Sequence, residues 1–248
     1  MINTNQNFRN LVEKCLQTGQ YVGLGNPNAR ILFIGKEAGM NSNSKIIDGS
    51  AQSWLNGNDY SIHELKDADI KLKNKNHTWQ RYQKLFELIF FEHLSKDEFK
   101  KKDNYEITFV NQVFTTELSN LPATNTRDAK KLTDFKTELQ RRKEIFWTDE
   151  FIQQFPIVVI TAADPKYIET FPGEVCKMFD VEFTPKPENI TSEKIWIHYA
   201  VQGKSKVYPK LVIHTRQLTN GAKNQLIEEL AIIIREFIKK HALEIAIK

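Results

Sequence analysis

Short apolar runs recur along the chain: Ile31-Leu-Phe-Ile34, Ile107-Thr-Phe-Val110, Ile157-Val-Val-Ile-Thr161 and Leu211-Val-Ile213. Runs of this kind suit strands covered on both faces, as in a parallel sheet. Between them apolar residues return at helical spacing. Trp79, Tyr82, Leu85, Phe86, Ile89 and Phe90 do so behind Thr78, a candidate N-cap, and Leu226, Leu230, Ile233, Ile234 and Phe237 do so after Thr219-Asn220. The segment from Lys131 to Phe155 also reads as helix, broken near Thr148. Ile195–Val201 alternates, as an edge strand or hairpin arm does, and the polar turn Gln202–Lys206 follows it. Alternating strands and helices predict an α/β fold: three α/β/α layers around a central, mainly parallel sheet.

Met40–His77 breaks the pattern. It is polar, rich in Asn and Lys, and predicts one short helix, opened by the capping-box pair Ser61 and Glu64. Following the first core strand directly, it is expected over the carboxyl end of the sheet, where open α/β sheets bind ligands. Neither an internal repeat nor a Pro/Gly/Ser-rich linker divides the 248 residues, so a single domain over residues 1–248 is expected.

Composition narrows the classes. With 40% hydrophobic and 27% charged residues, the chain is that of a folded globular protein. A net charge of +4 permits a nucleic-acid partner if the basic groups cluster. Cys15 and Cys176 alone cannot build a disulfide framework, a four-cysteine zinc site or an all-cysteine iron–sulfur cluster. The polar start MINTNQNFRN and the lack of a stretch of roughly twenty apolar residues point to a cytoplasmic, monomeric protein with no membrane partner. Gly23-Leu-Gly25 precedes its strand and lacks the third glycine of a dinucleotide fingerprint, and His63-Glu64 lacks the second His of a zinc hydrolase. No metal and no cofactor is expected.

Polar groups follow three of the strands. Gly35-Lys36-Glu37-Ala38-Gly39 comes after the first, Asn111 after the second, and His214-Thr-Arg-Gln-Leu-Thr219 after the last. If the strands are parallel neighbours, a carboxylate, an amide and an imidazole converge on one crevice. Taken singly, each has an ordinary explanation: a solvated loop acid, a turn-forming Asn, a partly buried His.

In order, strand-Gly-x-acid, strand-Asn followed by Val-Phe-Thr, and strand-His-x-x-x-Leu-Thr opening a helix, the chain resembles the uracil-DNA glycosylase superfamily from about Gly23 to Phe237. The family motifs are Gly-Gln-Asp-Pro-Tyr, Leu-Leu-Asn-Ala-Val-Leu-Thr and His-Pro-Ser-Pro-Leu-Ser. Ala38 stands for the first proline, Thr215 and Gln217 for the last two, and Glu37 for the Asp. The resemblance implies a DNA glycosylase that hydrolyses the N-glycosidic bond of a flipped, deaminated base, uracil foremost, in base-excision repair. Glu37 and His214 fall on its catalytic positions, Asn111 on the base-reading position and Leu218 on the wedge. Gly35, Lys36 and Ala38 would line the base pocket, with Trp54 or Tyr60 stacking on the base and the larger Trp54 preferred.

Such chemistry has use for these groups. Breaking the bond leaves positive charge on the sugar, which a carboxylate stabilises, and negative charge on the base, which an imidazole or backbone donors stabilise. An amide offers the donor and acceptor that complement a uracil edge. Flipping costs a few kcal/mol, and an apolar wedge can fill the gap left in the stack. Arg216, Thr219, Lys204 and Lys206 are candidate phosphate contacts, the lysines equally readable as a solvated hairpin. Asp164-Pro165 is expected to open a helix. The rival reading is a protein of the same fold that binds nucleic acid, nucleobase or nucleotide without cutting it.

Overall fold

The computed structural model describes residues 5–38, 49–55, 77–91, 107–123, 125–169, 173–219 and 221–245. Its helices are α1 (Gln6–Thr18), α2 (Ala51–Leu55), α3 (His77–Phe90), α4 (Thr126–Ala129), α5 (Phe135–Ile145), α6 (Glu150–Gln153), α7 (Glu174–Phe179) and α8 (Asn224–Lys240). The strands are β1 (Leu24–Gly25), β2 (Ile31–Gly35), β3 (Val113–Glu117), β4 (Ile157–Thr161), β5 (Glu182–Thr184), β6 (Ile195–Tyr199) and β7 (Leu211–Thr215). They form one 7-stranded sheet in the order β1-β3-β2-β4-β7-β6-β5. The four middle strands run parallel; β1 pairs antiparallel with β3 and β6 with β7, and β5, antiparallel to β6, runs in the sense of the middle four. The sheet is therefore mixed, and Ile195–Tyr199 is an inner strand, with β5 outside it.

The apolar runs are unbroken because helices cover both faces of the parallel strands. Ile31, Phe33, Ile157, Val159, Leu211 and Ile213 pack against Tyr82, Leu85, Phe86 and Ile89 of α3 and Leu226, Leu230, Ile233, Ile234 and Phe237 of α8. Leu32, Ile34, Val158, Ile160 and Val212 face Phe8, Leu11, Val12 and Cys15 of α1, with Phe151 and Phe155. Each such side chain stabilises the fold by about 1.5–3 kcal/mol on full burial. The break expected near Thr148 separates α5 from α6, and Thr78 lies inside α3 instead of capping it.

One expected strand is displaced. Phe109–Asn111 is a turn of 3-10 helix, and β3 begins only at Val113. Gln83 of α3 holds that turn: its Oε1 accepts the backbone N–H groups of Thr108 and Phe109, each at 2.8 Å. A short apolar run cannot announce whether it is a strand or a packed turn; here it is the turn, and Val-Phe-Thr-Thr-Glu is the strand.

The chain leaves β2, passes α3 on one face and enters β3; after α4–α6 it returns as β4 on the other side of β2, and α7 then covers the opposite face. The carboxyl ends of β2 and β4 thus flank the point where connections diverge to opposite faces, the place where open α/β sheets form a crevice. Among the described residues, no helix is long and apolar enough to cross a membrane.

Candidate active site at the carboxyl edge

Glu37 stands two residues beyond β2 with both carboxylate oxygens engaged. Oε1 accepts from the Thr126 hydroxyl at 2.7 Å and Oε2 from the Tyr167 hydroxyl at 2.5 Å. Thr126 opens α4, which Asn125 caps by accepting from the Asp128 N–H, and Tyr167 closes the turn after β4. That turn is built on Asp164, whose Oδ1 accepts from the Lys166 N–H at 3.1 Å. Pro165 therefore leads into a single turn instead of the expected helix.

Two ammonium groups surround it. Lys36 lies 3.4 Å from Asp164 Oδ2, Lys130 pairs with the same oxygen, and both stand 5.7 Å from the centre of the Tyr167 ring. Burial pushes the Asp164 carboxyl up, but the bonds from Lys130 and the Lys166 amide and the charge of Lys36 outweigh it and hold it below its ordinary value. Burial, then the bond to Glu37, pushes the Tyr167 hydroxyl upward, so it remains a donor at neutral pH.

Glu117, the last residue of β3, is the register partner of Gly35 and completes the cluster. Burial, then the charge of Glu37, pushes its carboxyl up to about 8 against the pull of Arg142. The loop beyond β2 runs alongside it, the Leu118, Ser119 and Ala123 N–H groups bonding to the carbonyls of Gly35, Lys36 and Ala38.

Of the residues expected from sequence, Gly35, Lys36, Glu37 and Ala38 lie in this cluster. His214 is the fourth residue of β7, at the same end of the sheet with β4 between it and β2. It is fully buried, with Nε2 3.4 Å from the Ala162 carbonyl and its ring tilted against Trp196. Its place suits bracing the turn after β4 better than touching a ligand.

Other expectations are corrected. Asn111 lies before β3, at the amino end of the sheet, where its carbonyl accepts from Asn26 Nδ2 at 3.0 Å. Roughly 13 Å of strand, at about 3.3 Å per residue, parts it from the crevice end of β3. Trp54 pins α2 to the body: Nε1 donates to the Gly23 carbonyl at 2.8 Å and its ring meets Phe8 edge-on. Leu218 is buried in the α3–α8 core, so it is no exposed wedge, and Thr219 is buried beside it. Lys204 pairs with Glu182 at 3.7 Å and the Lys206 N–H bonds to Asp180. Both sit before β7, at the end of the sheet opposite Arg216. Arg216, just past β7, lines a 410 Å³ cleft with Thr191, Ser192, Lys194, Lys223 and Gln225. Residues 39–48, 56–76 and Asn220 lie outside the described residues, and with them Tyr60 and the helix expected at Ser61–Glu64.

Thr126, Lys130, Tyr167 and Glu117 were not singled out by sequence. Only Glu117 had a signal, as the acid closing a β-branched run. Among the described residues, no group of three or more His, Cys, Asp or Glu could hold a metal ion. No protein-family model, curated protein or solved structure matches the chain.

Proposed function

We propose that the chain is a DNA glycosylase of the uracil-DNA glycosylase type on a three-layer α/β/α scaffold, hydrolysing the N-glycosidic bond of a deaminated base at the carboxyl edge of β2, β3 and β4. The observation that carries this reading is Glu37, a carboxylate fixed by two hydroxyl donors at the divergence point of the sheet. As the bond lengthens, Glu37 stabilises the positive charge on the sugar and orients the attacking water. Thr126 and Tyr167 hold it in place, His214 braces the turn that carries Tyr167, and Arg216 with Lys194 and Lys223 meets backbone phosphates.

The test is single-turnover excision from oligonucleotides carrying uracil, uracil opposite guanine, hypoxanthine or xanthine. At least one base should be released, and Glu37→Ala should slow release by roughly a hundredfold or more, the scale of a lost electrostatic group. The second reading, binding without cleavage, is favoured by the distance of Asn111 and the burial of Leu218. Salt-sensitive binding of these strands with every one left intact would establish it in place of the first.

A further inference from the structure

The cleft beside Arg216 is held in shape from two sides. Thr215 Oγ1, at the end of β7, donates to the Lys194 carbonyl at 2.6 Å. Glu229 of α8 accepts from the backbone N–H groups of Thr191 and Ser192 at 3.2 and 2.8 Å, and Gln225 Nε2 donates to the Thr191 hydroxyl at 2.7 Å. The segment before β6 is thus tied both to the neighbouring strand and to the start of α8, and these parts line a space of 410 Å³.

That space is cationic. Ile195 is the register partner of Thr215, so Lys194 and Arg216 stand across from each other one step beyond the ladder. Like charges set opposite each other on adjacent strands repel. Lys223, the N-cap residue of α8, brings a third positive charge to the same cleft. Neither Lys194 nor Lys223 has an ion-pair partner among the described residues. Both are exposed and Arg216 is half-buried, so all three can be reached from solvent. Glu193 is the one acid among the lining residues, which leaves two positive charges uncompensated.

An excess of two selects the chemistry of a guest. An internal phosphodiester carries one negative charge, whereas a phosphomonoester carries about 1.5 to 2 at pH 7 and three acceptor oxygens. The Arg216 guanidinium can hold two of those oxygens at once, with the lysines acting as point charges. The cleft, at 410 Å³, also has room for a group attached to the phosphate, since small-molecule sites span roughly 300–1,000 Å³.

We propose that this cleft binds a nucleoside phosphomonoester, as a free nucleotide or as the phosphorylated end of a strand, in preference to the internal diesters that the same cations also meet. The phosphate rests on the cleft alone; its nucleoside rests on the reading of the carboxyl edge given above.

The experiment is titration calorimetry of the full chain with thymidine 5′-monophosphate, thymidine, the dinucleoside phosphate TpT, and a short single strand with and without a 5′-phosphate, run beside the excision assay. The monophosphate should bind, TpT at least tenfold more weakly and thymidine not measurably. Arg216→Ala and Lys223→Ala should each weaken the monophosphate by roughly tenfold or more, the scale of one charge-assisted hydrogen bond. Lys223 is exposed, so its variant decides the matter should Arg216→Ala fail to fold. TpT or thymidine binding as tightly as the monophosphate, or Lys223→Ala binding like wild type, would overturn the proposal. A 5′-phosphorylated strand that outbinds both its 5′-hydroxyl form and the monophosphate makes the strand end the ligand; otherwise the free nucleotide is, and the proposal stands in both cases. Monophosphate binding without excision would overturn the glycosylase reading alone, whereas excision without monophosphate binding would overturn this proposal alone.

Discussion

Glu229, on the inner face of α8, accepts hydrogen bonds from the Thr191 N–H and hydroxyl, the Ser192 N–H and Gln225 Nε2. Glu117, at the end of β3, has a buried oxygen that accepts none among the described residues. Burial pushes both carboxyls up. The donors around Glu229 outweigh it and hold that group down at about 2, whereas the charge of Glu37 adds to it and leaves Glu117 at about 8. The difference teaches what each is for. A fully satisfied carboxylate clamps the 191–192 segment onto a helix and stabilises the fold. A strained one at the crevice costs stability, and such departures gather where a protein meets its ligand.

Arg142 is the one cation among the described residues that tempers Glu117. Its guanidinium is buried, donates to the Glu117 and Tyr21 carbonyls, Gln20 and Thr116, and lies 3.7 Å from the centre of the Phe146 ring. Arg142→Ala should destabilise the fold by about 3–5 kcal/mol in denaturant titration, the scale for breaking a buried charged network. Next comes Glu229→Ala, which orphans its donors and should cost about 1–3 kcal/mol at pH 7. Its carboxyl lies below the unfolded value of 4.5, so its contribution is whole above pH 4.5 and fades as pH falls toward 2. The deficit of the variant should shrink across that window; a deficit that stayed constant would deny the clamp its charge.

Glu117→Gln should do the reverse. The folded protein holds a proton that the unfolded chain has lost between pH 4.5 and about 8, so stability falls as pH rises through that range. The variant does not titrate and should gain on wild type from pH 5 to pH 9, by about 2–4 °C in Tm for each kcal/mol recovered. Equal Tm differences at both pH values would mean that Glu117 is ionised like any surface acid.

Much of the frame was legible. Ile31–Ile34, Ile157–Thr161 and Leu211–Ile213 are strands because two covered faces demand apolar residues at every position, and that demand is written in the sequence. The Gly35–Ala38 segment was legible for the same reason: it follows a core strand. Asn111 misled because Ile107–Val110 is apolar enough for a strand, and only the Gln83 side chain, 25 residues away for Thr108, makes it a turn. With the strand set too early, Glu117 fell beyond its end and out of sight. Tyr167 and Thr126 could not have been found, since their meeting with Glu37 depends on β4 lying beside β2, which no local pattern records. Lys204 and Lys206 were grouped with Arg216 by nearness in sequence, although a strand's length separates them in space.

The two hydroxyls on Glu37 leave their mark on any ligand that arrives. Any hydrogen-bond donor that takes an oxygen of Glu37 competes with Tyr167 or Thr126 for it, so occupancy is tied to the turn after β4 and to the first residue of α4. The Tyr167 ring, flanked by two lysine ammoniums, thereby becomes an internal reporter whose resonances register any group that takes an oxygen of Glu37.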